Sequence, residues 1–297
     1  MLLAVSKGYR VEVTGLFFIL PNLVIFTLFV IFPAISGIFL AFTDYSMLGT
    51  SANFVGFENF VKIFSDFSTS SFLRSMLRTF LFTAMFVPLV FFFSLFLSVL
   101  TTSEIVKGKS ILRALFYWPW ILSPVIVALS WKWFLDIDAG FLNIILEKVG
   151  MEPRMWLLEP DLAFFWVTLV NVWYVAGYFM VMFNAALTSI PMQVYDAASI
   201  DGANKWQRFW YITFPLLKPT SVLVMVLSTI MAIRNFELVY VFTKGGPGNA
   251  TMFMVQKVYE AGFQDYKLGL ASAMSVVMFF VLLGLTLLQF RYMKGEE

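Results

Sequence analysis

Six stretches of the chain are apolar almost throughout, at about 14–42, 76–100, 111–134, 162–187, 219–242 and 268–290. Each approaches or exceeds the roughly 20 residues that an α-helix needs to cross a bilayer, so each predicts a spanning helix. Several contain proline (Pro21, Pro33, Pro88, Pro119, Pro124), which spanning helices tolerate where neighbours re-satisfy the freed backbone groups. The first stretch is too long for the apolar core of a leader peptide and no small-residue cleavage site follows it, so it is read as a span. The pattern thus predicts an all-α integral membrane protein. One membrane domain covers 14–291, between an N-terminal tail at 1–13 and a C-terminal tail at 292–297.

An even number of spans places both termini on one side. That side gathers the two tails with 101–110 and 188–218 and, counting Arg113 and Arg291 at the adjoining helix ends, holds ten Lys/Arg against six acids. The opposite side and its helix ends hold the other ten against twelve acids, in longer loops that include the acid-rich 136–161. Basic residues packed into short loops predict that the first side is cytoplasmic.

Composition agrees. Of the 297 residues, 60% are hydrophobic and 13% are charged, against about a quarter charged in a soluble domain. Zero Cys and zero His remove disulfides, thiolate chemistry and the commonest general base and metal ligand. A membrane enzyme would need a Ser/Lys or paired-Asp site inside a span, and no span offers paired acids. The net charge of +2 is too small to suggest nucleic acid. Gly108-Lys109-Ser110 looks like the end of a phosphate-binding loop, but that pattern needs glycine where Ser103 stands, so it is read as chance.

The segment 189–218 is short, Gly-broken and of mixed polarity. Ser189 as N-cap and Pro191 in the first turn predict a short helix to Ile200, with Val194, Ala197, Ala198 and Asp201 on one face. The small Ala197–Ala198 pair lets another surface approach the backbone. Asp201-Gly202 predicts a turn, with Asp201 capping a second helical piece over 203–212 and Gly202 at positive φ. Pro215 and Pro219 end that piece and start the next span. Two short helices joined to flanking spans form either a lever on the membrane face or a plain amphipathic connection.

Ile190-Pro191-x-x-x-Tyr195-Asp196-Ala197-Ala198-x-x-Asp201-Gly202-Ala203, followed by Phe209-x-x-Ile212-x-x-Pro215-Leu216-x-x-Pro219, resembles the EAA loop of ABC-importer permeases, best in the sugar-importing, binding-protein-dependent branch. Further matches are Phe54-Val55-Gly56-x-x-Asn59-Phe60, Trp131-Lys132-Trp133, Gly140-x-x-Asn143, Thr243-x-Gly245-Gly246-Pro247-Gly248-Asn249-Ala250-Thr251 and Gly269-x-Ala271-x-Ala273. The usual Glu of the loop is Asp196 here. The resemblance implies a type I permease fold in which Tyr195, Asp196, Ala197, Ala198, Asp201, Gly202 and Ala203 form a cytoplasmic coupling helix docked on an ATPase. It also implies a second homologous permease as heterodimer partner, two ATPase subunits and an extracytoplasmic solute-binding protein. ATP and Mg would be bound by the ATPase, with no cofactor in this chain.

Polar groups inside spans are costly and mark pathways or helix contacts. Asn171, Tyr174 and Tyr178 share one face of the fourth span, and Ser228, Met231 and Asn235 one face of the fifth. The resemblance raises Trp120, Asn171, Tyr174, Ser228, Met231 and Asn235 as lining of a sugar pathway; packing of helix on helix is the plainer reading. Arg234 and Glu237, three apart, predict an intrahelical ion pair at the outer interface in preference to a charge pair facing the pathway. A stand-alone secondary transporter is the alternative function, although neither inverted repeats nor buried coupling-ion sites are visible.

Overall fold

The structure is a computed structural model and describes residues 13–49, 52–68, 71–103 and 105–294. Residues 1–12 and 295–297, nearly all of the two expected tails, lie outside the described residues.

In chain order, α1 (Val13–Phe26) runs through a π-turn (Thr27–Ile31) into α2 (Phe32–Leu40), followed by α3 (Glu58–Ser65) and α4 (Phe72–Thr102). Then come α5 (Lys109–Ile121), α6 (Pro124–Phe134), α7 (Phe141–Lys148), α8 (Pro160–Ser189) and α9 (Met192–Ile200). The chain ends with α10 (Lys205–Arg208), α11 (Phe214–Leu216), α12 (Lys218–Ile233), α13 (Glu237–Thr243), α14 (Met254–Tyr259) and α15 (Leu268–Lys294). The described residues contain no strand, only one bridge between Thr43 and Phe54.

Four helices are long and apolar enough to cross a membrane unbroken: Phe18–Leu40, Phe72–Thr102, Pro160–Ser189 and Leu268–Arg291. Two more spans emerge if bent pairs are counted once each, Lys109–Ile121 with Pro124–Phe134 (98°) and Lys205–Leu216 with Lys218–Ile233 (66°). The six correspond to the six apolar stretches, except that the first limb of the second pair is the elbow piece. That pair bends at Leu217, between Pro215 and Pro219, where the elbow was expected to end and the span to start; the bend within the third span was not expected. Pro124 explains the first bend: it cannot donate a backbone hydrogen bond and holds Ser123 extended, with ψ 136°. The fifth stretch is interrupted again, because α12 stops at Ile233 and α13 starts only at Glu237. The second span begins earlier than its apolar run because Ser71 caps it, accepting from the Arg74 backbone N–H at 3.3 Å.

The chain divides into two compact units. In the first (Met1–Lys62, Glu260–Val276), buried Asn59 donates from Nδ2 to the carbonyls of Ala41 (3.0 Å) and Thr43 (2.7 Å). Gly269 lies against the Thr43 carbonyl oxygen, where a Cβ would collide. Asp44 accepts from the Asn53 backbone N–H (2.7 Å) and from Asn53 Nδ2 (3.1 Å), and these bonds hold its carboxyl below the ordinary aspartate range. A lowered folded-state pKa stabilises above the unfolded value, about 3.9, and the benefit fades as pH falls through the folded value. Protection of the Asn53 amide from hydrogen exchange, corrected for the intrinsic rate, should therefore weaken below about pH 4, and Asp44→Asn should remove that pH dependence.

In the second unit (Ile63–Tyr259, Val277–Glu297), α4 lies along α8. Phe82, Phe86, Val90 and Phe91 of α4 are buried with Val167, Val175, Phe179 and Phe183 of α8 in one core. Near the ends of these helices the hydroxyls of Ser98 (2.7 Å) and Thr101 (3.2 Å) donate to Asn184 Oδ1. Such small-residue and amide contacts are how helices associate where lipid supplies no hydrophobic drive. Buried Asn143 is a hub: its Nδ2 donates to the carbonyls of Ile137 and Arg154, each at 3.0 Å. Its Oδ1 accepts from the Arg154 N–H (3.0 Å) and Trp156 Nε1 (2.8 Å).

Candidate functional site

A cavity of about 330 Å³ opens in the second unit where the two bent spans meet α8. Trp120 of α5, Asn171 and Tyr174 of α8, Met231 of α12, and Asn235 line it. The Trp120 ring lies 5.3 Å from that of Tyr174 and 4.9 Å from that of Tyr178 between centroids. Tyr174 Oη donates to the Leu122 carbonyl at 3.1 Å, an acceptor freed by the bend between α5 and α6. The proline-broken span is thus re-satisfied by a side chain of the cavity wall. Asn235 Nδ2 donates to Asn171 Oδ1 at 2.7 Å, while Asn171 Nδ2 donates to the Val167 carbonyl at 2.7 Å. The two asparagines therefore also join helix to helix.

Five of the six expected pathway residues come together here. Ser228 does not: it is fully buried and its hydroxyl donates to the Met225 carbonyl at 3.1 Å. Arg234 and Glu237 line the same cavity and form no ion pair with each other. The expected intrahelical pair fails because the helix does not continue. Arg234 is the C-cap of α12 and Glu237 opens α13. Phe86, Pro124, Val175, Ile230, Phe236 and Leu238 also line the cavity and were not expected there. Nothing marks an apolar Phe86 as wall rather than core, whereas Pro124 carried a usable signal as a bend.

Removing Asn235 would strand the Oδ1 of a buried asparagine, which costs about 1–3 kcal/mol. Asn235→Ala and Tyr174→Ala should each reduce uptake by about tenfold, with assembly and basal ATPase activity retained in reconstituted vesicles.

The segment after α8 forms an elbow of α9, α10, a π-turn (Phe209–Thr213) and α11. Its details differ from the sequence expectation. Ser189 does not cap α9; it is the last residue of α8, and its Oγ donates back to the Ala186 carbonyl at 2.8 Å. Pro191 is the N-cap instead. Asp201 ends α9, and α10 is capped by Asn204 in a box with Gln207. Gly202 does adopt positive φ, +79°, and Ala203 N–H closes the turn on the Ala198 carbonyl at 2.9 Å. The limbs are tied by Tyr195 Oη and Thr213 Oγ1 at 3.0 Å, and by Arg208 Nη1 donating to Ser199 Oγ at 2.8 Å. Ala198 is buried inside the elbow, while Asp196, Ala197, Asp201 and Gly202 are exposed. Ile200 is 87% exposed and Met192 is 64% exposed, large for apolar side chains on a short helix.

Residues 59–294 match the family described as the binding-protein-dependent transport system inner membrane component. The chain belongs to this family. Among curated relatives it is 33% identical over 282 residues to the trehalose/maltose transport system permease protein MalF of Thermococcus litoralis, covering 94% of this chain and 93% of that one. It is 32% identical over 277 residues to the sn-glycerol-3-phosphate transport system permease protein UgpA of Agrobacterium fabrum, covering 92% of each. A crystal structure of a bacterial ABC transporter involved in alginate import contains a chain with the same fold, at TM-score 0.85, 23% identity and 96% coverage of both chains. The protein is thus a multi-pass ABC-importer permease of the type I fold, and its work is transport rather than chemistry.

Proposed function

We propose that this permease builds, with a second homologous permease, the translocation path for a sugar, an oligosaccharide or a glycerol ester. The solute would be delivered by an extracytoplasmic binding protein and driven inward by two ATPase subunits that bind ATP and Mg²⁺. Its terminal tails and the 189–218 elbow would face the cytoplasm, in keeping with the crowding of Lys and Arg into the short loops of that side.

One observation carries the reading. The two helices that supply Asn171, Tyr174 and Met231 to the cavity are the two that flank the elbow. From Tyr174 to Ser189 α8 is unbroken, about 22 Å at 1.5 Å per residue. Beyond the elbow, α12 runs from Lys218 back to the cavity. A push on Asp196–Gly202 therefore reaches the cavity walls through packed helices, which switch between discrete arrangements rather than deforming. Amides of Asn171 and Asn235 suit sugar hydroxyls, and the Trp120 face suits a sugar's C–H surface. Relatives named for trehalose, maltose and sn-glycerol-3-phosphate fit that class.

Proteoliposomes holding this permease, its second permease and the ATPase pair test the reading. Uptake should require internal ATP and external binding protein, and the permease alone should hydrolyse no ATP. Uptake by this chain alone, driven by an ion gradient without ATP, would establish a secondary transporter instead.

A further inference from the structure

A second cavity, of about 790 Å³, lies beside the elbow and is lined by a different set of residues. One wall is α4 from Phe92 to Thr102; the other includes Phe209 and Phe214. Phe92 is 59% exposed and Phe96 is 60% exposed, so the trough is open along an apolar flank. Lys205 and Arg208 stand at one end of it, and no acidic residue lines it among the described residues. Neither cation has an acidic partner among the described residues. Arg208 is held in place by its bond to Ser199 Oγ. Trp206 and Trp210, with ring centroids 5.7 Å apart, line the same end.

The dimensions and charge point to one occupant. The ten residue steps of α4 from Phe92 to Thr102 span about 15 Å. That is half of the roughly 30 Å hydrocarbon core, the depth of one leaflet. Lys205 and Arg208 lie on the elbow that follows α8 and leads into α12, beside Trp206 and Trp210, and tryptophan concentrates at membrane–water interfaces. A cationic end on a leaflet-deep apolar trough suits an acidic headgroup on an acyl chain. We propose that this groove binds an anionic phospholipid of the leaflet next to the elbow, its phosphate on Lys205 and Arg208 and an acyl chain along Phe92, Phe96 and Val99. Lipid bound there wedges between α4 and the limb of the elbow that leads into α12.

Full-length permease in detergent, offered equal phosphatidylglycerol and phosphatidylcholine, tests this by native mass spectrometry. Phosphatidylglycerol should be retained roughly thirtyfold over phosphatidylcholine, the scale conferred by two cations at a charged headgroup. Lys205→Gln combined with Arg208→Gln should bring the two lipids to parity, while Lys148→Gln, an exposed cation away from the groove, should preserve the preference. Val99→Trp should reduce retention of both. In the assembled transporter in bilayer nanodiscs, a photo-crosslinker placed at Val99 should label lipid. Parity in the wild type, a preference that survives the double variant, or a Val99 crosslink that captures a second permease chain would each overturn the proposal.

Discussion

Gly202→Pro should abolish ATP-driven uptake while the protein still inserts into the membrane at wild-type levels. Gly202 sits at φ +79°, and the proline ring fixes φ near −65°. The Gly202 N–H, which donates to the Ser199 carbonyl at 3.2 Å, would also be lost. Proline where neither its φ nor its missing N–H is tolerated costs about 3 kcal/mol or more, or roughly a hundredfold in any equilibrium that needs the native turn. The cost falls on an exposed turn outside the spans, so the spans should fold while the proposed docking surface of Asp196, Ala197 and Asp201 is lost. Asp196→Lys should give the same loss of uptake by reversing an exposed charge on that surface without touching the turn. Uptake is read in proteoliposomes and insertion by resistance to alkaline extraction. Normal uptake in both variants would mean that the elbow only connects two spans.

The second large effect is expected from Gly177→Leu. A Cβ at Gly177 would collide with the carbonyl oxygen of Phe116 in α5. The two helices meet backbone to backbone there, and that closeness sets Trp120 over Tyr174 and Tyr178. Any side chain must push α5 from α8, and overpacking of this kind costs about 3 kcal/mol at its upper range. Gly177→Leu should lower the thermal stability of the purified permease by several degrees and quench uptake. Ala185→Leu, at an exposed position of the same helix, should leave stability unchanged. Equal stability of the two variants would contradict the close packing.

The membrane class and the four unbroken spans were legible because a bilayer imposes a length on every apolar run. The bends were less so. Pro124 and Pro119 were visible, but only the folded chain distinguishes the proline that stays inside α5 from the one that turns the path through 98°. The break after Ile233 has no proline within it, so no local signal announced it. Gly202 was readable because positive φ has a residue signature. The caps were misplaced because Ser189, Asp201 and Asn204 are all competent caps within sixteen residues, and the reciprocal capping box with Gln207 selects Asn204 for α10. The cavity wall on α8 was legible as polar positions at helical spacing, Asn171 and Tyr174, whereas Asn235 reaches the cavity from the break after α12. Ser228 has that spacing as well, yet its hydroxyl bonds its own helix. Asn59 and Asn143, noticed only as motif positions, turned out to staple loops through side-chain bonds to backbone. Spacing identifies a face, whereas its neighbours decide whether that face meets solute, lipid or helix.

The central claim is that force enters this permease through the exposed turn from Asp196 to Gly202. The chain contains no cysteine, so a single Ala197→Cys variant gives one defined thiol. Treating membranes that hold the assembled transporter with a short thiol crosslinker should join Ala197→Cys to the ATP-hydrolysing subunit, with a yield that changes when ATP is bound. Failure to capture that subunit in any nucleotide state, or labelling of the thiol by an impermeant reagent added outside intact cells, would contradict the account.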